Sequence, residues 1–389
     1  MHETSIIFSI FLIFSGAALL ATLALFARQS MLIGYILVGV IAGPWGLHLV
    51  SDLQMIKQIA EVGIIFLLFL LGMNLEPREL ARFFRKTTVV TVISSTLFFG
   101  AGFGISLLFE FNSSDAMIIG VAMMFSSTII GLKLLPTVTL HQQHMGEIMI
   151  SILLLQDIIA IIALVCIQGL TSDSSILLGV GRIILGLPVL AGLAFLVSRY
   201  CIHYLLARFD RIREYIFLLT IGWCLLISQL SFWLGLSYEI GAFIGGVSLA
   251  ISPIARFITE SLKPLRDFFL VMFFFSLGAS FNIDMLNTLM VPAGVMAVVM
   301  LLLKPLTFGT LLRKEGEKPG FSKQAGVRLG QVSEFSLLIA LLALEVKLIS
   351  EHAAYLIQIA TLLTFIISSY YIVLHYPTPI AVDDKLRKD

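Results

Sequence analysis

Long apolar segments recur from one end of this chain to the other, and no other feature constrains its fold more. Thirteen are read: roughly Ser5–Phe26, Met31–Leu47, Ile56–Met73, Thr88–Leu108, Ala116–Leu135, Ile148–Leu170, Ile176–Val197, Tyr215–Leu234, Tyr238–Ile254, Phe268–Phe281, Asn287–Leu312, Gln324–Leu344 and Ala353–Leu374. Most approach the roughly 20 residues that a helix needs to cross a bilayer core. The tenth is short, and its start is expected before Arg266. Only 13% of the residues are charged, against about 25% in an ordinary soluble domain. Mean hydropathy is +1.02. Lipid offers no partner to an unpaired backbone group, so every span is expected to be helical. The fold class is therefore all-α, a polytopic membrane protein of 13 transmembrane helices. The first segment follows Met1-His2-Glu3, which lacks the basic start of a signal peptide, and is read as a retained span.

The basic residues support this division. Nearly all Lys and Arg fall in connections after odd-numbered spans or in the C-terminal tail. Only Lys57, Arg182 and Lys347 fall on the other side, and Lys304 lies within a span. The positive-inside rule then places the C-terminus in the cytoplasm and, for an odd number of spans, the N-terminus outside. The expected location is a cell inner membrane, with membrane lipid as the surrounding partner. A net charge of +1, with no basic cluster interleaved with aromatics, gives no footing for nucleic acid. Cys166, Cys201 and Cys224 lie in or beside apolar segments at no metal-ligand spacing, and are read as reduced, small hydrophobes.

The chain resembles itself at an offset of just over half its length. Leu71-Gly72-Met73-Asn74-Leu75 in the third span matches Leu277-Gly278-Ala279-Ser280-Phe281 in the tenth. Gly34 and Gly39 in the second match Gly241 and Gly246 in the ninth. Gly, Leu and Phe are abundant, so chance is the alternative; two matches in one register weigh against it. Paired spans are an odd number apart, so the halves run in opposite directions. The expected organisation is a first inverted repeat over 1–170, a linker helix and cytoplasmic loop over 171–214, a second repeat over 215–376 and a cytoplasmic tail over 377–389. Inverted repeats are frequent in secondary transporters, whose sites lie near the midplane at helices broken in matching positions. The same offset sets Ser126 and Ser127 against Val332 and Ser333, next to Glu334. The polar run Phe125-Ser126-Ser127-Thr128 and the run Gly330-Gln331-Val332-Ser333-Glu334 are thus the expected helix breaks. The plainer alternative is hydroxyls bonding back to their own helix or joining neighbours; the matched positions favour breaks.

Asp157 lies near the middle of the sixth span, where an aspartate costs roughly 2.5–3.5 kcal/mol on insertion scales. A carboxylate in a half-desolvated cavity can hold a proton near neutral pH. Once deprotonated it attracts a small cation, and nearby hydroxyls and carbonyls can replace the water shell. Proton and cation then compete for one site. The alternative is a static brace between Asp157 and Lys304. Lys304 precedes Pro305, where a kink and an unpaired carbonyl are expected. Three roles are open to it: neutralising the carboxyl ends of broken half-helices, which is favoured, pairing with Asp157, or carrying a proton. Glu334 is read as neutralising a half-helix amino end. Glu61 and Asp267 are read as interface charges at the starts of the third and tenth spans. His141 and His144 are read as a solvated pair on a cytoplasmic loop, with a pH sensor as the alternative. Arg208, Arg211 and Arg213 are read as positive-inside residues.

Several motifs together resemble the monovalent cation/proton antiporter-2 family, its Kef-type potassium/proton antiporters in particular. They are Gly34-Tyr35-Ile36 through Gly43-Pro44, Ser126-Ser127-Thr128, Gln156-Asp157, Gly241-Ala242-Phe243, Arg266-Asp267-Phe268-Phe269 and Glu334-Phe335. The resemblance runs through essentially all thirteen spans. It implies a sodium/proton antiporter-like fold with a dimerisation domain and a six-helix core, the fifth and twelfth helices crossing where they unwind. It also implies elevator-type movement of the core and a homodimer. Asp157 would bind the cation or proton, with Gln156, Ser126, Ser127 and Thr128 around it. Electrogenic relatives carry two adjacent acids here, and this chain has Gln156 in the first place. The short run after Leu374 carries no strand, Gly-rich turn and helix pattern of a nucleotide-binding regulatory domain. Nucleotide regulation on this chain is not expected; a truncated C-terminus and a separate cytoplasmic regulatory subunit are both open.

The expected activity is exchange of K+ or Na+ for a proton, with no resident cofactor and no enzyme chemistry. A sodium-coupled symporter of a small organic anion would want a larger cavity with more polar groups. A channel would want a filter repeated by oligomeric symmetry. A membrane aspartyl protease would need a second facing aspartate, and a zinc protease paired ligands.

Overall fold

A computed structural model describes residues 6–27, 29–50, 53–74, 77–133, 144–169, 176–209, 211–252, 254–282 and 284–378. Among them the secondary structure is helical and no β-sheet forms. Seven helices are long and apolar enough to cross a membrane, and four shorter apolar ones accompany them. The chain is an integral, multi-span membrane protein. His141, the side chains of His144, Lys57 and Arg182, and tail positions 379–389 lie outside the described residues.

The chain divides into two compact units. The first comprises Met1–Gly16, Val38–Ala81 and Val165–Ser280. It contains the start of α1 (Ile6–Phe26), the end of α2 (Met31–Ala42) and α3 (Leu53–Asn74). It also holds α8 (Ile176–Val197), α9 (His203–Arg208), α10 (Arg213–Trp233), α11 (Tyr238–Ala250) and α12 (Ala255–Ala279). A single π turn, Ser198–Ile202, joins α8 to α9. Helix α3 packs on both α11 and α12, and α11 on α10. Glycines allow these backbones to meet. A Cβ on Gly246 would fall 2.0 Å from the Phe69 carbonyl oxygen, and one on Gly72 would fall 2.3 Å from that of Phe243. A Cβ on Gly39 would fall 2.1 Å from the Phe275 oxygen and 2.9 Å from the Gly278 Cα. The repeat register maps the Gly39–Gly278 approach onto the Gly246–Gly72 approach, so one contact occurs twice with its members exchanged.

Helix α12 begins before Arg266, as expected. Glu61 and Asp267 stand inside α3 and α12 rather than at their starts, because both helices extend further toward their N-termini. Both side chains are exposed, and Asp267 pairs with Arg266 at 2.9 Å. Cys224 is buried, Cys166 and Cys201 are exposed, and all three are free thiols.

The second unit comprises Ala17–Leu37, Arg82–Leu164 and Phe281–Asp389. Its helices are most of α4 (Pro77–Leu108), α5 (Ser113–Met123), α6 (Thr128–Lys133) and most of α7 (His144–Gly169). It continues with α13 (Met285–Lys314), α14 (Pro319–Arg328), α15 (Glu334–Glu345) and α16 (Glu351–His375). Helix α13 packs on α14 and α16, and α15 packs on α16 and α5. Pro292 and Pro305 lie inside α13, which runs through both without interruption. Gly326 gives α14 its approach to that helix: a Cβ there would fall 2.6 Å from the Pro305 carbonyl oxygen. On the unit's other side, the Asp115 carboxylate joins two helix starts. It accepts from the Ser350 backbone N–H at 2.8 Å, the Ser350 hydroxyl at 2.7 Å and the Asn112 amide at 3.0 Å. Asn112 caps α5 and Ser350 caps α16.

Candidate functional site

The fifth span is two helices. Helix α5 stops at Met123, Met124–Ser127 is not helical, and α6 starts at Thr128. Serine and threonine hydroxyls compete with the helix ladder for backbone partners. Ser127 does so by accepting from the Ile130 N–H at 3.1 Å, which makes it the cap of α6. The twelfth span breaks the same way between Arg328 and Glu334. There Ser333 caps α15, its hydroxyl accepting from the Phe335 N–H at 3.1 Å. Ser127 and Ser333 are the positions that the repeat register matches. The two broken stretches meet in an isolated antiparallel bridge between Ser126 and Val332, another matched pair.

A break inside a membrane leaves backbone donors and acceptors that must find partners, and side chains supply them. Gln156 on α7 accepts from the Ser126 N–H at 3.0 Å and donates to the Met124 carbonyl at 3.1 Å. On the matched break, the Thr364 hydroxyl of α16 accepts from the Val332 N–H at 3.1 Å. Ser336 donates to the Ala122 carbonyl. Gln331 donates to the Arg328 carbonyl at 2.9 Å and the Ser127 carbonyl at 3.4 Å, and accepts from Ser368 at 3.1 Å. Lys304 is fully buried on α13. Its ammonium donates to the Phe125 carbonyl and reaches Ser126 Oγ at 3.5 Å, while the Phe98 ring lies 4.9 Å away. Its contact is thus with the backbone that follows α5. Among the described residues no ion pair joins it to Asp157.

Asp157 follows Gln156 and is 2% exposed. Thr128 and Glu334 lie beside it. Asp157 Oδ2 and Thr128 Oγ1 are buried with no hydrogen-bond partner among the described residues. Glu334 opens α15, where the partial positive charge of the helix end favours a carboxylate. Asp157, Gln156, Ser126, Ser127, Thr128, Lys304 and Glu334 thus gather around one crossing. Their parts differ. Gln156 and Lys304 hold the break, Ser127 caps the half-helix, and Asp157 and Thr128 keep unused acceptors. No group of three metal-ligating His, Cys, Asp or Glu side chains occurs among the described residues.

The sequence reading placed Gln331 in the second break without a role of its own, and did not assign Ser336, Thr364 or Arg328. The repeat register gave a signal for one of them: it sets Thr364 opposite Ile158, beside Gln156-Asp157. Arg328 lies within the bounds read for the twelfth span, which alone marks it as a buried charge.

Two helices broken inside an all-helical bundle, crossing beside a buried carboxylate, define a membrane protein with the architecture of secondary transporters. The family model described as "Sodium/hydrogen exchanger, transmembrane" matches residues 11–374, and the chain belongs to that family. K(+) efflux antiporter 6 of Arabidopsis thaliana is 28% identical over 343 residues, which is 86% of this chain and 57% of the relative. This chain therefore spans little more than half the length of that relative. Iron transporter MagA of Paramagnetospirillum magneticum is 28% identical over 352 residues, 89% of this chain and 80% of the relative. Among solved structures, the sodium proton antiporter MjNhaP1 from Methanocaldococcus jannaschii at pH 8 superposes with a TM-score of 0.69 at 18% identity, covering 94% of this chain and 95% of that one. An electron-microscopy structure of the same antiporter gives 0.70 at 15% identity and 96% coverage of both chains. The fold is thus that of sodium/proton antiporters, and the named relatives are transporters rather than enzymes.

Proposed function

We propose that the chain exchanges a monovalent cation, K+ or Na+, for a proton at Asp157, by alternating access with elevator-type movement of the second compact unit. One observation carries the reading: Asp157 is buried at a helix break beside Thr128 and Glu334, and its Oδ2 meets no hydrogen-bond geometry among the described residues, the Gln156 amide and Lys304 ammonium nearby being engaged on backbone carbonyls. A buried carboxylate with an oxygen left over is stabilised by a proton, or by a cation that it coordinates. Ser126, Thr128 and the carbonyls of the break are the neighbouring oxygens for that cation. Gln156 contributes by fixing the break, and Lys304 and Glu334 by balancing helix-end charge.

The inverted-repeat organisation supports this mechanism. The reciprocal contacts of Gly39 with Gly278 and Gly72 with Gly246 are what a two-fold relation between 1–170 and 215–376 produces, as is the Ser126–Val332 bridge. In this reading the protein is an inner-membrane homodimer with its N-terminus outside and its C-terminus in the cytoplasm, where a regulatory subunit can reach it. The test uses proteoliposomes with an internal pH dye, to which sodium, potassium, lithium and rubidium are added in turn. Cation-dependent alkalinisation or acidification is expected for potassium or sodium. Silence with all four, in vesicles that hold a proton gradient, would reject antiport.

A further inference from the structure

Beyond the crossing, one fully buried charge has no part in the exchange reading. Arg328 ends α14, at the edge of the second break, with 0% exposure. Its guanidinium donates to the Pro377 carbonyl at 2.7 Å and lies 5.9 Å from the centre of the Tyr376 ring. Both partners belong to the segment that leaves α16. There the chain turns extended at Tyr376, and Thr378 is again fully buried. Tyr376 and Val327 pack on a cluster of Ile130, Phe365, Ile372 and Val373. Ile130 belongs to α6 and Val327 to α14, so this exit segment lies against half-helices from both broken spans. The backbone of Arg328 points the other way along the same chain of contacts. Its carbonyl is held by Gln331, whose amide also reaches the Ser127 carbonyl of the first break.

Burying a guanidinium carries a large desolvation cost, and a packed apolar side chain at such a position is often at least as stabilising. What arginine adds is a planar, rigid donor set that fixes one geometry. Its partners include a carbonyl and an aromatic face on the exit segment. The neutral Tyr376 ring offers its face to the guanidinium.

We propose that Arg328 is a positioning residue for the crossing, and that Tyr376–Pro377 is the strap through which the chain beyond α16 sets the geometry of the second break. This rests on the antiport reading for its effect on transport, and on the described contacts alone for its effect on the break. A cytoplasmic partner that pulls on the exit segment acts through Arg328, Gln331 and the bridged residues rather than at Asp157 itself.

The test compares the full chain with Tyr376→Ala, Arg328→Met, the double variant and the conservative Tyr376→Phe. Hydrogen exchange is read at peptides covering Leu329–Ser333, and the cation KM in proteoliposomes. Tyr376→Ala and Arg328→Met are each expected to raise exchange at the break and shift the cation KM by about threefold or more, within the range of remote coupling. The double variant is expected to add little to either single one, and Tyr376→Phe to match the parent. A lowered melting temperature with unchanged KM and unchanged exchange at the break would overturn the proposal. So would an Arg328→Met effect that Tyr376→Ala lacks. Should Arg328→Met fail to fold, the Tyr376→Ala and Tyr376→Phe pair still decides. If the parent chain exchanges no cation, the antiport reading fails while the hydrogen-exchange comparison still judges the strap.

Discussion

Asp157 and Lys304 are both buried at the crossing, yet their surroundings assign them opposite duties. Lys304 is committed to the backbone after α5 through Phe125, whereas Asp157 keeps an oxygen without a partner. Asp157→Asn preserves the shape and removes the titratable group. Exchange is expected to fall to the level of protein-free vesicles, with insertion and melting temperature retained. A normal exchange rate in that variant would reject the carboxylate as carrier. Lys304→Ala strands a buried carbonyl, at a cost of about 1–3 kcal/mol. Its melting temperature in detergent should fall while the order of cation preference stays as in the parent. Unchanged melting with a reordered preference would instead place Lys304 in the ion's coordination. Gln156 shows why residue identity alone misleads. Beside Asp157 it reads as a ligand, but both ends of its amide are spent on backbone atoms of the break.

At the scale of elements, the breaks and the glycine contacts make separable predictions. Ser333→Ala removes the cap of α15, which typically costs about 1 kcal/mol, and a melting curve should register a loss of that order. Gly246→Ala places a Cβ 2.0 Å from a backbone oxygen of α3, while the nearest atom to a Cβ on neighbouring Gly245 lies at 3.4 Å. Folded yield is expected to collapse in the first and hold in the second; equal yields would mean that α3 and α11 separate at little cost. Such elements show how far the sequence could be read. The breaks were legible because Ser126-Ser127 and Ser333 fall in one repeat register within apolar segments, where polar runs need a reason. The glycine pairs were legible as matched positions, but not as contacts, since spacing along a chain does not tell which helix it faces. Ser336 was illegible for a similar reason, and Thr364 was marked only by its register with Ile158. A hydroxyl in an apolar helix ordinarily bonds to its own preceding turn, and only the fold brings these two to another segment's unpaired groups. Arg328 was passed over because the positive-inside count draws attention to basic residues in connections rather than to one inside a span.

At the scale of the whole molecule, the questions are what competes at the site and what charge crosses the membrane. If one carboxylate serves both ions, apparent cation affinity falls as pH drops below the site's pKa. The fall is about tenfold per unit, because each unit removes roughly 1.4 kcal/mol of available binding. A pH-independent affinity would require separate sites. The same economy predicts electroneutral exchange, one cation for one proton. Glutamine at 156 cannot titrate. Lys304 donates to the Phe125 carbonyl, a partner that does not depend on which ion Asp157 holds. Glu334 stands at the positive end of α15, where the helix dipole favours a carboxylate whichever ion is bound. The site then carries the same net charge with either load. A membrane potential, which contributes about 2.3 kcal/mol per elementary charge at 100 mV, would do no work on it. The measurement clamps the potential with valinomycin and potassium in liposomes given a sodium gradient, or with another ionophore if potassium is the cargo. The reversal point of the proton flux is expected to stay fixed as voltage changes. A reversal point that moves with voltage would show a second charge in transit, and repeating the clamp with Lys304→Ala and Glu334→Gln would tell which residue carries it.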